Sequence, residues 1–274
     1  MIDCTAIRSR FIKALAFLPL ALYSIPGVGQ SLDNRRYAVA LGVQSDQFSR
    51  FYNSQFLSTV DVSAYRDKGT YIFRVNEAER FNRSGVQIEL EAYRKYKNGT
   101  YSWAGAAWSP SVLFPEAKWG AEYFFVPLKT WEASAGARLI MFDGELTQLF
   151  TASASKYSGS FLFMVRPFLV NNRSGSGFSL SGQARYYVND NGTLAGLRFV
   201  AGASPERGFV QTAGGVQPEA LRLLSQSAGV FGTYTIAKTF QLNAGIDVGR
   251  DELAFQMGSF TRRTSFQFGV RKAF

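Results

Sequence analysis

From Tyr37 to Phe274 apolar and polar side chains alternate with a period of two, a pattern that suits strands and excludes helices. In GVQIELEAY (85–93), Val86, Ile88, Leu90 and Ala92 share one parity, and Gln87, Glu89, Glu91 and Tyr93 share the other. In FQLNAGIDVG (240–249), Phe240, Leu242, Ala244, Ile246 and Val248 oppose Gln241, Asn243, Gly245, Asp247 and Gly249. FLFMVRPFL (161–169) and FSLSGQARYYV (178–188) read the same way, with Arg166 and Arg185 on the wet side. About 14 such segments are legible, with boundaries uncertain by about 2–4 residues. They include 159–170, 177–188, 192–203, 221–236, 239–250 and 263–274. Soluble sheets favour strands of about 5–6 residues, whereas a tilted strand places about 9–11 residues in hydrocarbon. A continuous apolar face would aggregate in water but is the solvated surface in lipid. The expected fold is all-β: a transmembrane antiparallel up-and-down β-barrel of about 14 strands, with 12 as the alternative.

The connections sort into two sets. RDKGT, KNGT, PLKT, YSGS, NDNG and IAKT are turn-like, whereas residues 109–117, 171–177, 204–220 and 251–263 read as longer loops. Short turns on one rim and long loops on the other, with an even strand number, place both chain ends on the periplasmic side of a Gram-negative outer membrane. At the amino terminus, Arg8, Arg10 and Lys13 precede the apolar run ALAFLPLALYSI (14–25) and the small-residue exit PGVGQ. That run is shorter than the roughly 20 residues a membrane helix needs. Residues 1–30 are therefore expected to be a secretory signal cleaved after Gly29 or Gln30, leaving 31–274 as the barrel.

Cys4 is the only cysteine and lies in that leader, so disulfides cannot staple the exported chain. Histidine is absent, which removes Ser-His and Asp-His catalysis. Without the leader's three basic residues and one acid, 27 basic and 19 acidic residues remain, a net charge of +8. That balance alone selects no anionic partner, and nucleic acid is not expected.

Five stretches resemble, in order, the YaiO family of outer-membrane β-barrel proteins: GVQIELEAY (85–93), YSWAGAAWSPSVLFPEAKWGAEYF (101–124), TWEASAGARLIMF (130–142), KYSGSFLFMVRPFL (156–169) and ARYYVNDNGTLAGLRF (184–199). The resemblance implies an outer-membrane barrel and carries no activity or catalytic residues. Some relatives place a helical-repeat region before the barrel, and none is expected between the leader and the barrel here.

With the apolar parity facing lipid, the opposite parity fills the lumen with Asp61, Arg74, Arg80, Glu89, Glu91, Lys118, Glu122, Glu132, Arg138, Glu145, Arg166, Arg185, Arg198, Asp247 and Arg271. Arg74 or Arg80 is expected to pair with Glu89 and Glu91. Such a lumen either satisfies itself by ion pairing or sets the selectivity of a narrow conduit for a polar or saccharide solute. About 8 strands leave only packed side chains and 16 to 18 leave an aqueous channel, so an intermediate barrel suggests a narrow or plugged bore. A structural or surface-binding barrel acting through its loops, especially 204–220, is the alternative. A lipid- or glycan-modifying enzyme using a carboxylate pair such as Glu89 and Glu91 is the third reading.

Gly175, Gly177 and Gly182 lack the strand-turn-helix setting of a nucleotide fingerprint. Asp251 and Glu252, expected in an outer loop, have no calcium-ligand spacing, and no metal or cofactor is expected. Tyr37, Tyr71, Trp119, Tyr123 and Trp131 suit an interfacial girdle. The last segment, SFQFGVRKAF, turns Phe266, Phe268 and Phe274 to lipid and is expected to close the sheet against the strand beginning near Tyr37. Its terminal aromatic resembles the signal read by the outer-membrane barrel-assembly machinery. The remaining expected partners are outer-membrane lipid and lipopolysaccharide.

Overall fold

The computed structural model describes residues 36–80, 82–212, 215–237, 239–253 and 256–274, without the side chains of 205–222. The expected leader lies outside the described residues. Fourteen strands form one closed antiparallel barrel. They are β1 (Tyr37–Phe48), β2 (Gln55–Arg66), β3 (Gly69–Arg80), β4 (Arg83–Lys95), β5 (Tyr101–Trp108), β6 (Ala117–Leu128) and β7 (Trp131–Phe142), then β8 (Glu145–Ser158), β9 (Phe161–Asn172), β10 (Gly175–Tyr187), β11 (Leu194–Thr212), β12 (Gly215–Ile236), β13 (Phe240–Leu253) and β14 (Gln256–Ala273). Fourteen strands, rather than 12, therefore build the sheet.

Each strand pairs with its sequence neighbours, and β14 returns to β1 in a register running from Ala38 opposite Ala273 to Phe48 opposite Arg263. The Phe274 amide donates to the Tyr37 carbonyl at 2.9 Å, and the Arg36 amide donates to the Phe274 carbonyl at 3.1 Å. Closure leaves no strand edge to recruit another chain. Both ends of the barrel chain emerge at one rim, called here the terminal rim; the other is the far rim.

Burial follows the two-residue period. In β3, Thr70, Ile72, Arg74, Asn76, Ala78 and Arg80 are buried inside, whereas Tyr71 and Phe73 are exposed outside. Phe266, Phe268 and Phe274 are 44%, 53% and 57% exposed on the outer face. Tyr37, Tyr71, Tyr123 and Trp131 lie toward the terminal rim and Trp119 near the far rim, all on the outer wall.

Three connections expected as long loops are strand instead. Residues 171–177 form the end of β9, a turn at Arg173–Ser174 and the start of β10. Residues 204–212 and 215–220 are the paired arms of the β11–β12 hairpin, in register from Ser204 opposite Leu223 to Thr212 opposite Gly215. Residues 251–263 belong largely to β13 and β14, with a register irregularity after Glu252. Backbone pairing outweighs the turn-forming composition of these segments, because each amide must find a partner and the opposing arm supplies one. The Asp143–Gly144 turn shows how tightly the sheet reverses: φ values of 54° and 73° match a two-residue turn with both central residues left-handed, for which Asp-Gly is suited. Coil survives at the far rim at 49–54 and 109–116.

Candidate functional site: the barrel lumen

Residue 109–116, expected among the outer loops, packs inward over the wall. Phe114 and Leu113, 1% and 4% exposed, form an apolar cluster with Ala78 and lie against Leu57. Ala78 and Leu57 face inward, opposite each other on β3 and β2. The loop crosses Gly85, where a Cβ would sit 2.0 Å from Ser111 Oγ. Its own hydroxyls fix it: Ser109 Oγ donates to the Val86 carbonyl at 2.6 Å, and Ser109 and Ser111 hydroxyls accept from the Ser111 and Leu113 amides at 3.0 and 3.2 Å.

The fifteen inward charges named above all lie on the inner face, in three clusters and several outliers. In the first cluster, Asp61, Arg74 and Glu89 are directly opposed on β2, β3 and β4. Arg74 grips Asp61 at two points (2.7 and 3.0 Å) and donates to Glu91 at 2.8 Å; Glu89 is 3.7 Å away. Lys118 crosses the small Ala107 on β5 to donate to Glu89 at 2.7 Å. Tyr93 and the Trp103 indole also donate to Glu91, at 3.2 and 3.1 Å. Arg80 is not part of this cluster, since it sits six residues along β3 at the far rim, opposite Arg83.

Glu122 organises the second cluster. Ser134 donates to it at 2.5 Å, Arg166 holds both its oxygens at 3.0 Å, and Arg138 lies 3.7 Å away. Arg166 stands on β9 and Glu122 on β6, so this bond spans two intervening strands. Arg138 also lies over the Trp103 ring, 4.9 Å from its centroid, and so links the first two clusters. Glu132 stands beside the Tyr101 hydroxyl, within the fields of Arg166 and Arg185. The buried Nε atoms of Arg166 and Arg185 have no hydrogen-bond partner among the described residues.

In the third cluster, Arg198 grips Asp247 with Nε at 2.7 Å and with Nη2, and donates to Gln267 at 2.8 Å. Gly229 lies directly between Arg198 and Asp247 in the register. A Cβ there would fall 2.2 Å from Asp247 Oδ1, so only glycine lets the pair lie flat across the wall. Gly136 opposes Glu122 in the same way, with a Cβ position 2.7 Å from the Glu122 Cβ. Near the terminal rim Arg271 donates to Gln241 at 2.8 Å and to the Tyr65 hydroxyl. Glu145 stands at the far-rim start of β8.

Asp46, Asp251 and Arg263 are further inward charges, beyond those the alternation singles out. Gln44 donates to Asp46 at 2.9 Å, and Asp251 pairs with Arg263 at 3.2 Å while accepting from Ser225 at 2.6 Å. Parity places Asp46, Asp251 and Arg263 on the inner side, but Asp251 falls in a segment whose composition suggests a loop and Arg263 at the boundary between that segment and a strand. Asp251 and Glu252 accordingly do not form a loop cation site: Glu252 accepts backbone amides of Leu224 and Gly258 at 2.9 and 2.7 Å. The inner face of β9 is also less wet than expected, since Leu162, Met164, Phe168 and Val170 share the parity of Arg166. Leu149, Phe168 and Val170 pack into an apolar cluster. Where inner side chains bury one another, apolar residues are as well accommodated as in any core.

The filling of the bore is uneven. Every inward residue of β3, and those of β8 from Thr147 to Ser155, is buried. By contrast the inward residues of β12 from Ser225 to Thr233 and of β13 from Gln241 to Gly249 are partly exposed. That accessible wall carries Ser225, Ser227, Thr233, Gln241 and Asn243 among glycines, with Phe231 beneath the Arg198 guanidinium and the Arg198–Asp247 pair across it.

A closed antiparallel barrel of 14 strands, apolar outside and charged inside, defines an outer-membrane-type β-barrel protein. Residues 36–207 match the YaiO membrane beta barrel domain, and the chain belongs to that family. Among solved structures, a bacterial polysaccharide outer membrane secretin shares the fold at 8% identity, with 88% of this chain and 99% of that chain covered and a TM-score of 0.57. The CymD monoaromatic hydrocarbon channel does so at 10% identity, covering 88% of this chain and 89% of that chain with a TM-score of 0.53. No curated protein matches the chain in sequence.

Proposed function

We propose that the chain is a passive outer-membrane conduit for a polar solute, with saccharides the class that suits its wall. The observation that carries this reading is the uneven bore: one side is sealed by ion pairs and apolar packing, and the other presents Ser227, Thr233, Gln241 and Asn243 to water. Neutral donors and acceptors of this kind exchange hydrogen bonds with sugar hydroxyls without fixing a charge. The Arg198–Asp247 pair, neutral overall and held flat, leaves that path free of a strong single-sign field. The fold shared with a polysaccharide secretin agrees with this assignment. In this reading the terminal rim faces the periplasm and the terminal strand, with Phe266, Phe268 and Phe274, is what the assembly machinery engages. No catalytic step is assigned, since the chain has no histidine to act as base.

The test is single-channel recording in planar bilayers together with liposome swelling in neutral oligosaccharides. Small resolved conductance steps and size-limited swelling are expected; silence in both assays, from protein shown to be folded, refutes the conduit. A surface-binding role is favoured by one observation, the continuous pairing of the β11–β12 hairpin as far as Thr212 opposite Gly215. Removing residues 205–220 should then abolish binding to whole cells while leaving the barrel folded, and unchanged binding rejects it.

A further inference from the structure

On the outer wall near the far rim, three arginines gather around Phe260, on the face that Glu252 shares. Arg250 and Arg262 are directly opposed on β13 and β14. Directly opposed like charges destabilise a sheet unless something neutralises them. Arg50 joins them from the 49–54 loop: its guanidinium donates to the Phe260 carbonyl at 2.9 and 3.3 Å, and its neighbour Ser49 bonds Arg262 through the backbone amides and its hydroxyl at 3.0 and 3.1 Å. All three arginines are exposed.

The intramolecular partners are few and neutral. Arg250 donates to Gln226 at 3.1 Å and lies over Phe260, 4.8 Å from its centroid. The Arg262 guanidinium has no ion-pair or hydrogen-bond partner among the described residues. Asp251 faces the lumen and pairs with Arg263, while Glu252, outward on β13 opposite Phe260, is buried and accepts the Leu224 and Gly258 amides without an ion pair to an arginine among the described residues.

The position of the group identifies its ligand. Val248 on β13, and Phe266 and Phe268 on β14, lie on the lipid-facing wall at 58%, 44% and 53% exposure. The next outward-facing residue after Val248 is Arg250, and Arg262 lies two outward positions beyond Phe266. The arginines thus stand where hydrocarbon gives way to headgroups. Guanidinium groups bind phosphate oxygens through paired donors, and a phosphate among them would relieve the Arg250–Arg262 repulsion. We propose that Arg50, Arg250 and Arg262 form a binding site for the phosphate of a membrane lipid, with the phosphorylated saccharolipid of the outer leaflet as its occupant. The site is independent of what passes through the lumen.

The experiment uses the full barrel in detergent, with retained lipid counted by native mass spectrometry and the unfolding midpoint measured in parallel. The probes are bisphosphorylated lipid A, the same lipid without phosphates, and inorganic phosphate. Lipid A should be retained and raise the midpoint, with retention about tenfold weaker in R250Q/R262Q. R262Q by itself should weaken retention without lowering the lipid-free midpoint, which separates ligand loss from misfolding. Equal retention of the dephosphorylated lipid, equal retention by both variants, or the same midpoint shift from inorganic phosphate alone would overturn the assignment.

Discussion

Replacing Arg74 with Gln tests whether the charged inner wall is shielded from water or bathed in it. The Arg74 side chain is 11% exposed, and those of Asp61, Glu89 and Glu91 are 5%, 8% and 10% exposed. The substitution removes the two-point grip on Asp61 and the bond to Glu91, leaving Lys118 as the cation on Glu89 and only neutral donors on Glu91. Breaking a buried pair from one side costs about 3–5 kcal/mol, because the stranded carboxylates stay desolvated. A loss of about 4 kcal/mol lowers the folding constant by nearly three powers of ten. Urea titration in lipid vesicles, followed by tryptophan fluorescence and by gel mobility with and without heating, measures it. Removing the Asp61 charge as well, in R74Q/D61N, should recover part of the loss. The turn variant Lys97→Gln should stay within about 0.5 kcal/mol of wild type. A loss below about 1 kcal/mol for Arg74→Gln would match an exposed pair and refute the shielded wall.

Gly229→Ala places a Cβ 2.2 Å from Asp247 Oδ1 and 2.4 Å from the Ile246 carbonyl, and should cost about 1–3 kcal/mol in the same titration. Gly42→Ala, whose nearest contacts would be 3.9 Å away, should be close to neutral, and equal effects at the two sites would reject the close-approach argument. Leu113→Ser with Phe114→Ser should free the 109–116 loop from Leu57 and Ala78 and raise single-channel conductance; an unchanged step size means that this loop does not narrow the path. Tyr52, in the 49–54 loop, has its hydroxyl pushed up from 10.0 to about 12, first by burial and then by the nearby Asp251 carboxylate. The folded state therefore holds a proton that the unfolded chain releases above about pH 10, so stability should fall between about pH 10 and 12. Tyr52→Phe should remove that part of the decline in a pH series of unfolding midpoints, and an identical pH profile counts against the shift.

The two faces of the wall were legible in the chain because parity is local: a residue two positions along a strand returns to the same side whatever the rest of the sheet does. Hence Asp61, Arg74, Glu122, Arg198 and Asp247 could be named as inward before any partner was known. The same rule misjudged β9, whose Leu162, Phe168 and Val170 face inward with Arg166, because parity assigns a side and not its polarity. Closure and register decided the partners. Arg166 meets Glu122 across 44 residues, and Arg198 meets Asp247 across 49, only because the barrel curves these strands together and places Gly229 beneath the second pair. Pairing likewise made strand of 204–212 and 215–220, whose prolines and glycines suggest coil, since the facing arm satisfies the backbone. The inward fold of 109–116 depends on the missing side chain of Gly85 and on an apolar seat at Leu57 and Ala78, distant segments that only the tertiary structure brings under one loop.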